Sequence, residues 1–273
     1  MGQEYYLAID IGATKTLLAI FETGGEMVCE KKLPTSSDYK QFIKDLGDCI
    51  KQLDQFKFSY CACAVPGVVD TASGVAKAFG NEDWRDVPIK SDIQLLIPDA
   101  KILIHNDAKL AGLSEALLLK NKYRRLLYLT ISTGIGGGVI VDNKIDPGFE
   151  NFEPGQMVFE HGGSNRQWES YASGKALYEK YGKRASDIDD PRIWNDYAKD
   201  LVAGFENLIA VVRPEVIVIG GGVGAHFEKF QSYLQEQLSK INNPLVPTPP
   251  ILKAQRPEEA VIYGCYDYIK QNI

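Results

Sequence analysis

Three strand-like apolar runs, each ending in a turn of little side-chain bulk, restrict what this chain can fold into more than any other feature. The first, Tyr6-Leu7-Ala8-Ile9, is followed directly by Asp10-Ile11-Gly12-Ala13-Thr14-Lys15-Thr16. The second, Leu126-Leu127-Tyr128-Leu129-Thr130-Ile131, passes through Ser132-Thr133-Gly134-Ile135-Gly136-Gly137-Gly138 into Val139-Ile140-Val141. The third, Val216-Ile217-Val218-Ile219, ends in Gly220-Gly221-Gly222-Val223-Gly224 and precedes a helix-like stretch over 227–238. A strand, a glycine turn and a second strand make a hairpin whose tip exposes backbone N–H groups, which suit phosphate oxygens. In the first turn Asp10 can hold a hydrated Mg²⁺, and the hydroxyl of Thr14 adds a donor. Asp-x-Gly is also an ordinary tight turn, so that turn alone decides nothing. Three such turns in one chain suit a nucleotide better than they suit packing alone.

Two familiar phosphate-binding patterns are excluded. A dinucleotide fingerprint needs a helix opening on its last glycine and an acidic residue about 20 positions on. Here Gly138 runs into a strand, and no turn carries the Gly-Lys-Ser/Thr of a P-loop. A net charge of −6 lacks the basic stripe of a general nucleic-acid binder. No apolar run approaches the ~18–20 residues needed to cross a bilayer, so no membrane partner is expected. Met1-Gly2-Gln3-Glu4 leads straight into the first strand, an arrangement without a signal peptide. The five cysteines form an odd set without framework spacing, which points to a reducing, cytoplasmic setting. Cys61 and Cys63, two apart in one strand-like run, share a face and are expected to be buried thiols rather than metal ligands.

The 273 residues accommodate one two-lobed unit or two small domains. Strands are expected over 5–9, 16–22 and 27–33, with Gly24-Gly25 as the second turn. Tyr39, Phe42, Ile43, Leu46, Cys49, Ile50 and Leu53 then fall at helical spacing, and Ser36, Ser37 or Asp38 can cap that helix. A buried strand over 59–65 closes on Pro66-Gly67. A short strand over 102–104 ends at His105-Asn106-Asp107, and a helix follows over 108–119. A last helix carries Ala260 and Gly264, small residues four apart. This order resembles the repeating half of the actin-like ATPase and sugar kinase fold, with a second round over 126–253.

Several motifs sharpen the resemblance. Asp10-x-Gly12-x-Thr14, Pro66-Gly67, Asn106-Asp107, Thr133-Gly134-x-Gly136-Gly137-Gly138, Tyr171-Ala172-Ser173-Gly174 and Gly220-Gly221-Gly222 occur in the order seen in ROK proteins, a family that includes bacterial glucokinases. The resemblance implies an α/β, two-lobed actin-like ATPase (ribonuclease H-like) fold, with ATP and sugar meeting in a cleft between lobes. The lobes would be 1–107 with 254–273, and 108–253. It implies an ATP-dependent kinase of a free hexose, glucose at its 6-hydroxyl first. An N-acetylhexosamine kinase and a non-catalytic sugar sensor are the alternatives. Asp10 would organise Mg²⁺ through water. Gly12, Thr14 and Lys15 would line the first phosphate hairpin, Thr133 and Gly134 the second, and Gly221 and Gly222 would lie against the adenosine. Asp107 resembles the base that takes the proton of the sugar hydroxyl, with Asn106 and Asn81 as sugar contacts. As plain sequence, Asn106-Asp107 is also a helix cap. Partners would be sugar and nucleotide alone, compatible with a homodimer. Regulators of this family carry an N-terminal helix-turn-helix, whereas here the phosphate hairpin already begins at Asp10, so direct DNA binding is not expected.

The match breaks at one place. ROK kinases usually carry Gly-Glu-x-Gly-His and then three cysteines that bind zinc with that His. Here the stretch reads Phe152-Glu153-Pro154-Gly155-Gln156-Met157, and no cysteine lies between Cys63 and Cys265. No zinc site is expected. His161 is read as an exposed-loop or packing residue, and Gly162-Gly163-Ser164-Asn165 as a turn in place of the zinc loop. Glu153 and Glu169 match the family's sugar-binding glutamates, and Gln156, both donor and acceptor, stands for the imidazole contact. Acceptors of this kind select a polyol better than an apolar pocket does.

Overall fold

Alternating apolar residues in the first third of the chain build a sheet with one long buried centre. The computed structural model describes residues 3–79, 84–240 and 244–273. It divides the chain into two compact units, Met1–Ser114 with Val261–Ile273, and Glu115–Ala260. In the first unit β1 (Glu4–Ile11), β2 (Lys15–Glu22) and β3 (Met27–Pro34) form an antiparallel meander. Helix α1 (Tyr39–Lys51) follows, with Asp38 as the cap whose side chain accepts from the Gln41 N–H. Its apolar stripe buries Phe42, Leu46 and Ile50. Strand β4 (Lys57–Val65) then pairs parallel with β1. Strands β5 (Val68–Asp70), β6 (Val75–Ala78) and β7 (Arg85–Val87) make a small separate sheet. After α2 (Ile89–Leu96), β8 (Lys101–Asn106) adds itself parallel to β4, and α3 (Asp107–Leu118) follows at once.

The second unit repeats the plan. Strands β9 (Arg125–Ile131), β10 (Ile135–Val141) and β11 (Lys144–Ile145) form a meander. Next comes a hairpin of β12 (Val158–His161) and β13 (Ser164–Gln167), then α4 (Glu169–Ala172), α5 (Gly174–Tyr181) and the long α6 (Pro191–Val212). Strand β14 (Val216–Gly220) pairs parallel with β9, and α7 (Gly221–Gly224) and α8 (Gln231–Ser239) lead to β15 (Ile251–Lys253), parallel to β14. The two main sheets read β3-β2-β1-β4-β8 and β11-β10-β9-β14-β15, one order used twice. The doubling expected from element order is therefore present in the strand pairing. Helix α9 (Ala260–Gln271) returns the chain to the first unit, where the Cys265 thiol points at the Ile9 carbonyl and Tyr263 and Tyr266 pack on Phe21. The close approach that Gly264 permits is real. A Cβ there would stand 2.1 Å from the Leu110 carbonyl oxygen.

One sequence expectation needs revision. The stretch over 227–238 is not one helix: a single 3-10 turn, Phe227–Lys229, precedes α8, and Phe230 between them has φ −127°. The apolar spacing is right, but packing overrides it. Phe230 is fully buried, stacked on Trp194 with ring centres 5.6 Å apart and edge-on to Tyr197 and Phe227. Lys229 meanwhile donates to the Ile188 carbonyl.

Two buried features tie the second unit together. Glu115, 1% exposed, accepts from the N–H groups of Gln255 and Arg256, one per carboxylate oxygen, both at 2.8 Å. Trp168, wholly buried, lies against α6 where residue 204 is glycine. A Cβ at Gly204 would fall 2.1 Å from the indole, closer than any real contact. Gly204→Ala should therefore cost roughly 1–3 kcal/mol through overpacking, read as a lower denaturant midpoint. An unchanged midpoint would mean that Trp168 has room to move.

Candidate active site

Parallel strands gather the polar residues of the first unit at one end of its sheet. β1, β4 and β8 run side by side in register Asp10 to Ala64 and Ala64 to His105. Asp10, Pro66-Gly67 and Asn106-Asp107 thus all stand at carboxyl ends of parallel strands, where open α/β sheets bind ligands. Asn106 is the cap of α3: its Oδ1 accepts from the Lys109 N–H at 3.2 Å, while its Nδ2 donates to the Gly67 carbonyl at 2.9 Å. Asp107 is then the first helical residue, with Oδ1 accepting from the Ala108 N–H at 2.8 Å. The cap reading and the acid reading therefore belong to two different side chains. His105 is buried, and its Nδ1 accepts from the Asn106 N–H. Burial and, less strongly, the Lys109 charge push it down to about 4, so the imidazole is neutral near pH 7.

The first glycine turn is braced from a distance. The Gly12 N–H donates to the Lys15 carbonyl at 3.0 Å, leaving Thr14 and Lys15 exposed at the tip. The hydroxyl of Thr35 donates to the Gly12 carbonyl at 2.8 Å and lies 2.9 Å from that of Thr16. Since the Thr35 proton is committed to Gly12, Thr16 is the donor in that pair. Nothing in the sequence marks Thr35 for this role, because the contact spans 23 positions.

Electrostatics set the two acids apart from every surface carboxylate. Burial, then the neighbouring Asp107 charge, push Asp10 up to about 7 against the opposing pull of Lys15. Burial also raises Asp107, offset in part by the Ala108 N–H and by Lys109. Two carboxylates raised by burial, one of them also by the other's charge, form a donor set that favours a positive charge beside it. A hydrated divalent cation fits that chemistry. Among the described residues no group of three or more His, Cys, Asp and Glu side chains is placed to hold a metal on its own.

In the second unit the other two glycine turns come together. The Gly220 end of β14 pairs with Thr130 of β9. Gly221, at φ +82°, sits so close that a Cβ would meet the Ile131 carbonyl oxygen and Thr130 Oγ1, both at 2.6 Å. Around Gly222 the space is open, and Thr133 is exposed at the neighbouring tip. Ser132 accepts from the Gly174 N–H at 2.7 Å, which docks the Tyr171-Ala172-Ser173-Gly174 segment on the same turn.

Glu169, the first residue of α4, reaches into this assembly. Its Oε2 accepts from the Ile135 N–H at 3.2 Å and its Oε1 from Gln156 Nε2 at 2.6 Å. The carboxylate lies between Gly134 and Gly155, where a Cβ would approach Oε2 to 2.7 and 2.8 Å. Gly155 is the second glycine of the family's Gly-Glu-x-Gly-His stretch, and the seat needs it bare. Glu153 opens the turn Pro154–Gln156, whose Gln156 N–H donates to the Glu153 carbonyl. Asp10, Asn106 and Asp107 are thus brought together in one unit, and Glu153, Gln156, Glu169, Thr133 and Gly134 in the other. Asn81 lies outside the described residues. His161 is a packing residue: its ring stacks on Tyr171 at 3.9 Å. The Gly162-Gly163 turn joins β12 to β13, both glycines at positive φ.

The family model of the ROK family matches residues 6–272. This chain belongs to the ROK family. It is 28% identical to the N-acetyl-D-glucosamine kinase of Haemophilus influenzae (strain 86-028NP), covering 95% of this chain and 97% of that protein. It is 25% identical, with the same coverage, to the N-acetyl-D-glucosamine kinase of Escherichia coli O127:H6. A ROK family glucokinase from Streptomyces griseus, solved with glucose and AMPPNP, shares its fold at a TM-score of 0.83 and 22% identity, over 98% of this chain and 99% of that one. The α/β actin-like ATPase fold expected from the motifs is the fold of this chain. Among the described residues no helix is long and apolar enough to cross a membrane.

The raised Asp10 carboxyl carries a stability consequence. The folded protein binds this proton more tightly than the unfolded chain does, so the contribution is complete well below pH 3.8 and is lost as pH rises through about 7. Asp10→Asn, isosteric and uncharged, removes that loss. In chelator-containing buffer its melting midpoint should exceed wild type at about pH 8, by a smaller margin at about pH 5, and converge on it only below about pH 4. A constant offset across pH would place the effect elsewhere.

Proposed function

We propose that this chain is an ATP-dependent kinase of a free hexose, transferring the γ-phosphoryl group to a sugar hydroxyl. The observation that carries the reading is the pair Asp10 and Asp107 at the carboxyl ends of parallel strands, both raised by burial from the ordinary carboxylate value. Phosphoryl transfer passes through a loose transition state, so positioning and charge neutralisation outweigh base strength. Asp107 is the base: it takes the hydroxyl proton once the sugar oxygen has begun to bond phosphorus, and its raised pKa suits that late transfer. Asp10 would hold Mg²⁺ through water, and the ion when bound would neutralise charge on the phosphate tail. Gly12, Thr14 and Lys15 meet the phosphates, as do Thr133 and Gly134, while Gly221 and Gly222 leave room for the adenosine. Asn81, Asn106, Glu153, Gln156 and Glu169 hold the sugar hydroxyls.

Glucose, phosphorylated on its 6-hydroxyl, is the substrate the motif resemblance supports. A second reading, N-acetyl-D-glucosamine, is favoured by the activities named for the relatives at 25% and 28% identity over nearly the whole chain. A coupled ADP-release assay with Mg²⁺ over glucose, N-acetyl-D-glucosamine and N-acetylmannosamine separates them by their kcat/KM values. In the substrate so found, Asp107→Asn should lower kcat by roughly 10²–10⁴-fold, with sugar and nucleotide affinities nearly unchanged. Wild-type protein that releases no sugar-dependent ADP would overturn the kinase reading.

A further inference from the structure

The side chain that orients the sugar-contacting carboxylate is itself held by a residue with no assigned role. Gln167, the last residue of β13, donates from Nε2 to Gln156 Oε1 at 2.7 Å, and Gln156 donates from Nε2 to Glu169 Oε1 at 2.6 Å. We propose that Gln167 is a positioning residue for sugar binding, acting through Gln156 on Glu169. The proposal rests on the kinase reading, in which Glu169 receives sugar hydroxyls.

The direction of the chain is fixed from its acidic end. A carboxylate only accepts, so Gln156 must turn its NH₂ toward Glu169. That leaves the Gln156 carbonyl, at the exposed surface, facing the other way, where Gln167 supplies a fixed protein donor in place of exchanging water. The bond to the carboxylate is charge-assisted and is the strong member of the pair; the bond from Gln167 stops the Gln156 amide from rotating.

The backbone around Gln167 fixes where its side chain starts. Gln167 pairs with Val158 across the β12–β13 hairpin, and the next residue, Trp168, donates its N–H to the Met157 carbonyl at 2.7 Å. Gln156 sits immediately before that clamp, on the turn whose Met157 N–H donates to the Pro154 carbonyl. Trp168 is wholly buried against α6. Gln167, Gln156 and Glu169 therefore all hang from one anchored piece of backbone. On the far side of the carboxylate, Oε2 is held by the Ile135 N–H beside Gly134. With one partner on each oxygen, a lone-pair direction of each remains for a sugar hydroxyl.

The polarity gives a test that bulk alone would not pass. Gln167→Leu removes the donor; Gln167→Glu keeps the size but offers only acceptors. The Gln156 amide then stands between two acceptors, so the orientation that donates to Glu169 is no longer locked. Steady-state kinetics of the full-length chain, with the sugar the wild-type protein turns over, should show Gln167→Leu raising the sugar KM roughly 5- to 10-fold, the scale of one lost hydrogen bond. The kcat and the nucleotide KM should hold within about 2-fold, since chemistry and phosphate contacts are untouched. Gln167→Glu should raise the sugar KM at least as much, and adding Gln167→Leu to Gln156→Ala should change little further. A wild-type sugar KM in both Gln167 variants overturns the proposal and leaves the kinase reading standing. So does a defect confined to Gln167→Leu, which would indicate side-chain size. Should Gln167→Leu fail to fold, the isosteric Gln167→Glu decides alone. Wild-type protein without sugar-dependent turnover overturns both the kinase reading and this proposal.

Discussion

Carboxylates placed where protein has replaced much of their water govern the first unit. Asp10 stands one residue before the end of β1 and Asp107 opens α3, and the strands between them carry Ala64 and the neutral His105 rather than a compensating cation. Lys15 and Lys109 offset the cost only in part. The remainder is supplied by the fold: a parallel sheet core with Leu7, Ile9, Cys61, Cys63 and Ile104 fully or almost fully buried. Without that apolar mass the acids would sit in water as ordinary carboxylates. With it their carboxyls are pushed up, the property on which the proposed roles toward a cation and a hydroxyl rest.

The second unit solves a different problem with the same strand order. There a single carboxylate, Glu169, is satisfied on both oxygens by neighbours, and two glycines leave room for it. It is held in one orientation, as the proposed recognition of hydroxyl geometry requires. Its position descends from the core, because Trp168 immediately before it is locked against Gly204. One indole ring thus ties the Glu169 seat to the core of this unit.

Much of this was legible in the sequence, and the reasons differ by element. The meanders over β1–β3 and β9–β10, the capped α1 and the glycine turns announce themselves through local chemistry, which a sequence carries in adjacent letters. Asp10, Asn106 and Asp107 were found because motif order supplied what spacing could not: residues nearly 100 positions apart meet only through parallel pairing. Thr35 on Gly12 and Gly204 beneath Trp168 were invisible, since each is an ordinary residue until its distant partner is placed; Gly155 stood out as a motif position, but not its place beneath Glu169. The small sheet β5–β7 also escaped, its strands of three or four residues being too short to show a period. The helix expected over 227–238 failed for the opposite reason, a correct apolar stripe overruled by the aromatic cluster around Phe230.

Three of the four outer strands of the two main sheets bear on solubility during synthesis. β3 presents exposed Glu30, Lys31 and Lys32 and finishes on Pro34, which has no N–H to offer a newcomer. β11 has two residues and β15 three, too little backbone for another chain to zip onto. A nascent polypeptide rich in valine and isoleucine strands thus carries its own guard against open-ended fibre growth, with charge at one rim and brevity at two others.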